Sequence, residues 1–155
     1  MKNTDWEKKR RNLRQATLRF SRVINQQIVH GLNLAGYSEL KATHTTLISN
    51  LELEGGTITQ VAAKANITKQ AMGRLTVELT SLGYIRVESD SSDKRNSRLM
   101  FTEAGIELMQ ASFEIMESIE VRCADTIGKK NYVSFLKYLE ALHAAFDVPE
   151  NGGNS

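Results

Sequence analysis

Apolar residues recur at helical spacing at both ends of the chain, and a central stretch, Thr57 to Thr102, breaks that rhythm. From about Asp5 to Leu34, the residues Leu13, Ala16, Phe20, Val23, Ile24, Ile28 and Leu32 repeat every three or four positions, one apolar stripe on a long helix. Gly31 and Gly36 loosen its exit. Tyr37-Ser38-Glu39 opens a second helix with Leu40, Thr43, Leu47, Ile48 and Leu51 on one face, ended by Gly55-Gly56. Thr57 stands three residues before Gln60, the spacing of a capping box, ahead of Val61, Ala62, Ala63 and Ala65. A turn through Asn66 and Ile67 leads to Thr68, a good N-cap for a helix running to about Leu82, and Gly83 stops that helix.

Strand formers follow: Tyr84-Ile85-Arg86-Val87-Glu88, then a polar run from Ser89 to Asn96, then Arg98-Leu99-Met100-Phe101. Thr102 can cap a very long helix carrying Ile106, Met109, Phe113, Met116, Ile119, Cys123 and Ile127 at nearly heptad spacing. Gly128 breaks it, and a last helix carries Tyr132, Phe135, Leu136, Leu139, Leu142 and Phe146. The expected fold is mainly α with a small β wing: a winged helix-turn-helix head on a helical dimerisation scaffold. The boundaries are 1–36 for an N-terminal dimerisation helix, 37–102 for the head, 103–148 for C-terminal dimerisation helices and 149–155 for a disordered tail.

Composition narrows the function. A chain of 155 residues, 41% hydrophobic, can bury one core. No apolar run approaches the ~20 residues of a membrane span, and the charged N-terminus lacks the apolar core of a signal peptide. A cytoplasmic protein with no membrane partner is expected. The single cysteine, Cys123, excludes an intramolecular disulfide and fits a reducing compartment. Residues 1–54 carry nine Lys/Arg and five Asp/Glu, residues 55–101 seven and four, and residues 102–155 four and nine. The front two-thirds is therefore where a polyanion would bind. The basic start, Lys8, Lys9, Arg10, Arg11, Arg14, Arg19 and Arg22, reads either as a solvated helix face or as an extra phosphate-contacting arm.

The second helix of the head concentrates the chemistry. Ala71, Leu75, Leu79 and Leu82 form its packing face, while Lys69, Gln70, Gly73 and Arg74 stand opposite near its N-terminus. The first turns of a recognition helix enter the major groove, where Gln can pair with adenine and Arg or Lys with guanine. Gly73 would allow close approach, and Lys69 would touch phosphate. In the wing, Lys94 and Arg95 lie at the tip or return, with Arg95 as a minor-groove probe and Asp93 supporting the loop. Tyr37 and His44 are either packed structural residues or lining for a ligand pocket.

The runs DKRNSRLMFTEAG (Asp93 to Gly105) and ITKQAMGRLTVELTSLGYI (Ile67 to Ile85) resemble the wing and recognition-helix signatures of the MarR family of bacterial regulators. The likeness covers roughly residues 38–105. It implies a homodimer that binds pseudo-palindromic double-stranded DNA as a transcriptional regulator, more often a repressor, and that responds to a small organic ligand, often phenolic or anionic. Carried over, Gln70, Ala71, Gly73 and Arg74 face the groove and Arg95 is the wing arginine. The chain departs from the pattern at Phe101, where Leu is usual, and at Ala71 and Gly73, where Ser or Thr is common.

Two other functions compete. A winged-helix protein-interaction module would present an apolar or acidic face where Lys69, Gln70 and Arg74 stand. A thiol-based redox-sensing regulator would use Cys123, whose place on an apolar stripe argues for an inert, buried thiol. No enzyme, metal site or cofactor is expected: His30, His44 and His143 are far apart, and no Gly-rich phosphate loop occurs.

Overall fold

A computed structural model describes the backbone of residues 12–90 and 93–146, with side chains for residues 12–88 and 97–146. The chain forms two compact units, residues 1–116 and 117–155.

In the first unit, helix α1 (Leu13–Leu34) starts where the Asn12 side chain accepts the Gln15 N–H. Asn12 itself is extended, so no continuous helix runs from Asp5, and residues 1–11 lie outside the described residues. The helix ends in a Schellman motif: Gly36 takes φ +105°, the Tyr37 N–H reaches the Leu32 carbonyl at 3.0 Å and the Gly36 N–H reaches Asn33 at 3.2 Å. The expected second helix shrinks to α2 (His44–Ile48), with turns on both sides. Threonines explain the shortening: the Thr45 hydroxyl donates to the Ala42 carbonyl at 2.7 Å, competing with the helix ladder. Leu40, Leu47, Ile48 and Leu51 are nevertheless all buried.

Gly56 does not end a helix; Gly56–Thr57 is a short strand, β1. The capping box at Thr57 and Gln60 forms in both directions and opens α3 (Ile58–Lys64). Asn66 (φ 51°) makes the turn, and the Ile67 N–H returns to the Ala62 carbonyl at 3.0 Å. Asn is among the few non-glycine residues that accept this conformation at low cost. Thr68 then caps α4 (Lys69–Ser81) by accepting the Ala71 N–H, and Gly83 closes it in another Schellman motif.

Strand β2 (Ile85–Asp90) and strand β3 (Asp93–Phe101) form an antiparallel hairpin, and β1 pairs on the far side of β3, giving the order β1-β3-β2. The register holds from Ile85↔Phe101 to Glu88↔Arg98, then slips so that Asp90 faces Asp93. The polar run expected as a loop is therefore mostly strand, with β3 taking up extra residues at the slip. Helix α5 (Glu103–Ile127) follows at once. Thr102 accepts the Gly105 N–H and donates its own hydroxyl hydrogen to the Gly83 carbonyl at 2.6 Å. A Cβ on Gly105 would lie 2.1 Å from the Tyr84 carbonyl oxygen, so only glycine lets the helix start against the strand. Gly31 is likewise a packing residue inside α1 and not part of a loosened exit: a Cβ there would meet Ile115 of α5 at 2.9 Å. Leu32, Leu47, Met72, Leu79, Ile85, Leu99 and Leu108 form the fully buried centre of this unit.

The second unit contains the rest of α5, the break at Gly128 (φ +89°) and helix α6 (Lys129–Phe146). No residue of α6 is buried. Cys123 is half-buried, more accessible than its place on the stripe suggested. The tail from residue 147 lies outside the described residues. No helix among the described residues is long and apolar enough to cross a membrane.

Candidate nucleic-acid interface

Two capped helices joined by a left-handed Asn and followed at once by a hairpin define a winged helix-turn-helix. Helix α4 is set by its inner face, where Met72, Leu75, Thr76 and Leu79 are buried. Met72 and Thr76 were not expected there; Thr76 is tolerated because its hydroxyl donates to the Met72 carbonyl at 3.0 Å. Ala71 is half-buried and so belongs more to the packing side than to the groove side. Lys69, Gln70 and Arg74 are exposed on the outer side, with the guanidinium bearing on Glu78, Nε to Oε1 at 3.9 Å. Gly73 lies between them, and a Cβ there would meet nothing within 4 Å. One turn further on the same side, Val77 is 69% exposed, a lone valine that no sequence motif marks.

In the wing, the backbone of Asp93, Lys94 and Arg95 lies in β3 instead of in a loop, while their side chains lie outside the described residues. The two other wing arginines are committed within the chain. Arg98 donates to the Glu54 and Gly55 carbonyls at 2.9 and 3.1 Å, fastening the turn before β1. Arg86 donates to the Phe101 carbonyl at 2.9 Å and pairs with Glu88.

A cavity of about 230 Å³ lies between α1, α2 and α5, with Ile28, Leu32, Met109 and Phe113 among its apolar walls. Lys41 and His44 also line it. His44 is 1% exposed and fully bonded. Its Nδ1 accepts the Lys41 backbone N–H at 3.2 Å, which leaves Nε2 to donate to Glu78 Oε2 at 2.9 Å. Glu78 also lies 3.5 Å from the Lys41 ammonium. The His44 hydrogen bond, aided by the Lys41 charge, holds the Glu78 carboxyl below its ordinary value. Glu78 thus ties the cavity wall to the outer face of α4. Tyr37 does not line the cavity; its ring stands against Tyr84, centroids 6.0 Å apart, and burial, with Tyr37 and Glu39 nearby, raises the Tyr84 hydroxyl. Lys41 was missed from the sequence because nothing local marks a lysine as a cavity residue. Among the described residues no group of three or more His, Cys, Asp or Glu is placed to hold a metal ion.

The fold class is thus a winged helix-turn-helix with long flanking helices. Comparison with solved structures makes it more specific. The chain superposes on a MarR family transcription regulator with a TM-score of 0.71 at 19% identity, over 92% of this chain and 93% of that one. A MarR family transcriptional regulator from Streptomyces coelicolor, solved in complex with DNA, matches with a TM-score of 0.65 at 15% identity, over 90% and 89%. CouR from Rhodococcus jostii RHA1, solved with p-coumaroyl-CoA, matches with a TM-score of 0.67 at 19% identity, over 89% and 94%. No protein-family profile matches the chain, and no curated protein matches it in sequence. The chain has the MarR-type winged-helix fold.

Proposed function

We propose that this protein is a sequence-specific double-stranded DNA-binding transcriptional regulator, acting as a homodimer on a pseudo-palindromic operator. The observation that carries this is the outer face of α4: Lys69, Gln70 and Arg74 are exposed at the helix N-terminal half, around a glycine with no packing role. Arg74 and Gln70 would read base edges, Lys69 would contact phosphate, and Lys94 and Arg95 would reach from the wing. Asp93 would support the wing. One solved structure of this fold holds DNA, which fits that assignment.

Dimerisation is supported by surface that one chain leaves uncovered. Leu13, Leu18, Phe20 and Val23 of α1 are exposed, and so are Val133, Tyr138, Leu142 and Phe146 of α6. Exposed apolar surface on this scale marks an interface, and a second copy is the partner a symmetric dimer supplies. Two recognition helices would then stand about one DNA turn, roughly 34–36 Å, apart. The cavity would admit a small amphipathic anion, with its apolar part against Ile28 and Phe113 and its charge toward Lys41 and His44. Competition for those groups would loosen Glu78 and with it the setting of α4, relieving repression with a coupling of about 1–3 kcal/mol.

The test is a salt titration of purified protein on its own upstream DNA against a scrambled duplex. Binding that prefers the native duplex and weakens steeply between about 50 and 200 mM salt is expected. Equal, weak binding to both duplexes would favour a protein-interaction module instead.

A further inference from the structure

Gly73 and Val77 share the outer side of α4, four residues apart, and neither serves the protein's own packing. A glycine inside a helix loosens it relative to alanine. Here the usual reasons for keeping one are missing: Gly73 has no positive φ, and an added Cβ would meet no neighbour within 4 Å. Gly31 and Gly105, by contrast, lie hard against Ile115 and Tyr84. Val77 is the most exposed large apolar side chain among the described residues of 37–102, at 69%. A missing side chain next to a bare isopropyl group makes a small apolar notch, with Gln70 and Arg74 beside it as polar partners one turn back and at the neighbouring position.

We propose that this notch receives the 5-methyl group of a thymine in the major groove, so that Val77 is a specificity-determining residue. The inference rests on the DNA-binding function argued above. In the major groove the thymine methyl is the apolar mark that separates T·A from the other pairs, and it is read by apolar contact. Gly73 lets the helix backbone come near enough for Val77 to touch it, and Gln70 and Arg74 place hydrogen bonds on adjacent pairs.

The test uses the full-length protein. Its preferred duplex is selected from a randomised pool, and each thymine is then replaced singly by deoxyuridine, which removes only the methyl. Wild-type affinity is expected to fall about fourfold at one thymine per half-site, the factor for losing one buried methyl. Val77→Ala should bind the unmodified duplex more weakly, show no sensitivity at that thymine and melt like the wild type. Val77→Ile should keep the sensitivity. Uniform tolerance of deoxyuridine on a well-bound duplex overturns the inference while leaving DNA binding intact, as does a Val77→Ala protein that still senses the methyl. Failure to select any preferred duplex overturns both.

Discussion

Replacing Gly73 by alanine should make the protein more stable and a poorer DNA binder. The first half follows from helix physics. Gly73 lies inside α4, in its N-terminal half, without a positive φ, and the new Cβ would point into open space. The substitution then reduces the freedom of the unfolded chain and introduces no clash, for a gain of about 0.5–1 kcal/mol. For a chain of this size that raises the thermal midpoint by roughly 1–4 °C. The second half follows from the function proposed for the outer face. A methyl placed between Gln70 and Arg74 keeps the helix from the bases, and overpacking of a close contact costs about 1–3 kcal/mol, which is about five- to 150-fold in affinity. Differential scanning calorimetry and fluorescence anisotropy on the selected duplex measure the two effects. A variant that melts higher and binds DNA as well as wild type would refute the assignment of this face. A lower melting point would instead refute the claim that Gly73 faces open space.

Gly105→Ala should have the opposite sign in stability, because the Cβ would be driven into the Tyr84 carbonyl; a loss of about 1–3 kcal/mol in urea unfolding is expected. Thr57→Ala removes one arm of the capping box and should cost about 1 kcal/mol, read from the same unfolding curves. Glu78 is held below its ordinary value of 4.5 chiefly by His44, so its contribution to stability is complete above pH 4.5 and is lost as the pH falls through the lowered folded value. The drop in melting temperature on acidification below pH 4.5 should accordingly be smaller in Glu78→Gln than in wild type, and identical profiles would contradict the His44–Glu78 bond. Arg74→Ala should lose discrimination at one base pair by about 1–3 kcal/mol, while Arg95→Ala should weaken all sequences alike and flatten the salt slope; competition binding on single-pair variants separates the two.

The helix ends were the most legible part of the fold, because a cap is a local bargain among a few residues. Thr57 with Gln60, Thr68 with Ala71, and Gly83 at positive φ all do what their spacing indicates. The long helices after Thr102 and Gly128 were legible for the same reason. The failures lie where tertiary contacts decide. Leu40, Leu47 and Leu51 keep an inward pattern although only His44–Ile48 between them is helical, since burial can be met by turns as well as by a helix. Strand β1 has two residues and exists because β3 offers it a ladder, with Gly56 opposite Leu99. Gly31 looked like a helix exit, because the sequence does not show that Ile115 crosses there.

The exposed polar face of α4 was readable in the sequence, and its connections to the rest of the unit were not. Lys69, Gln70 and Arg74 announce themselves by type and position, and the structure leaves them exposed together. Glu78 announces nothing: as a glutamate four residues after an arginine it looks like an ordinary surface pair, worth little. Its meaning depends on His44, which lies 34 positions away in sequence and is buried with its Nε2 on the Glu78 carboxylate. That one bond places a cavity-lining side chain and a candidate base-reading arginine on opposite oxygens of the same group. The ligand proposed above is therefore to be sought first at Lys41 and His44, on the cavity side of that bond.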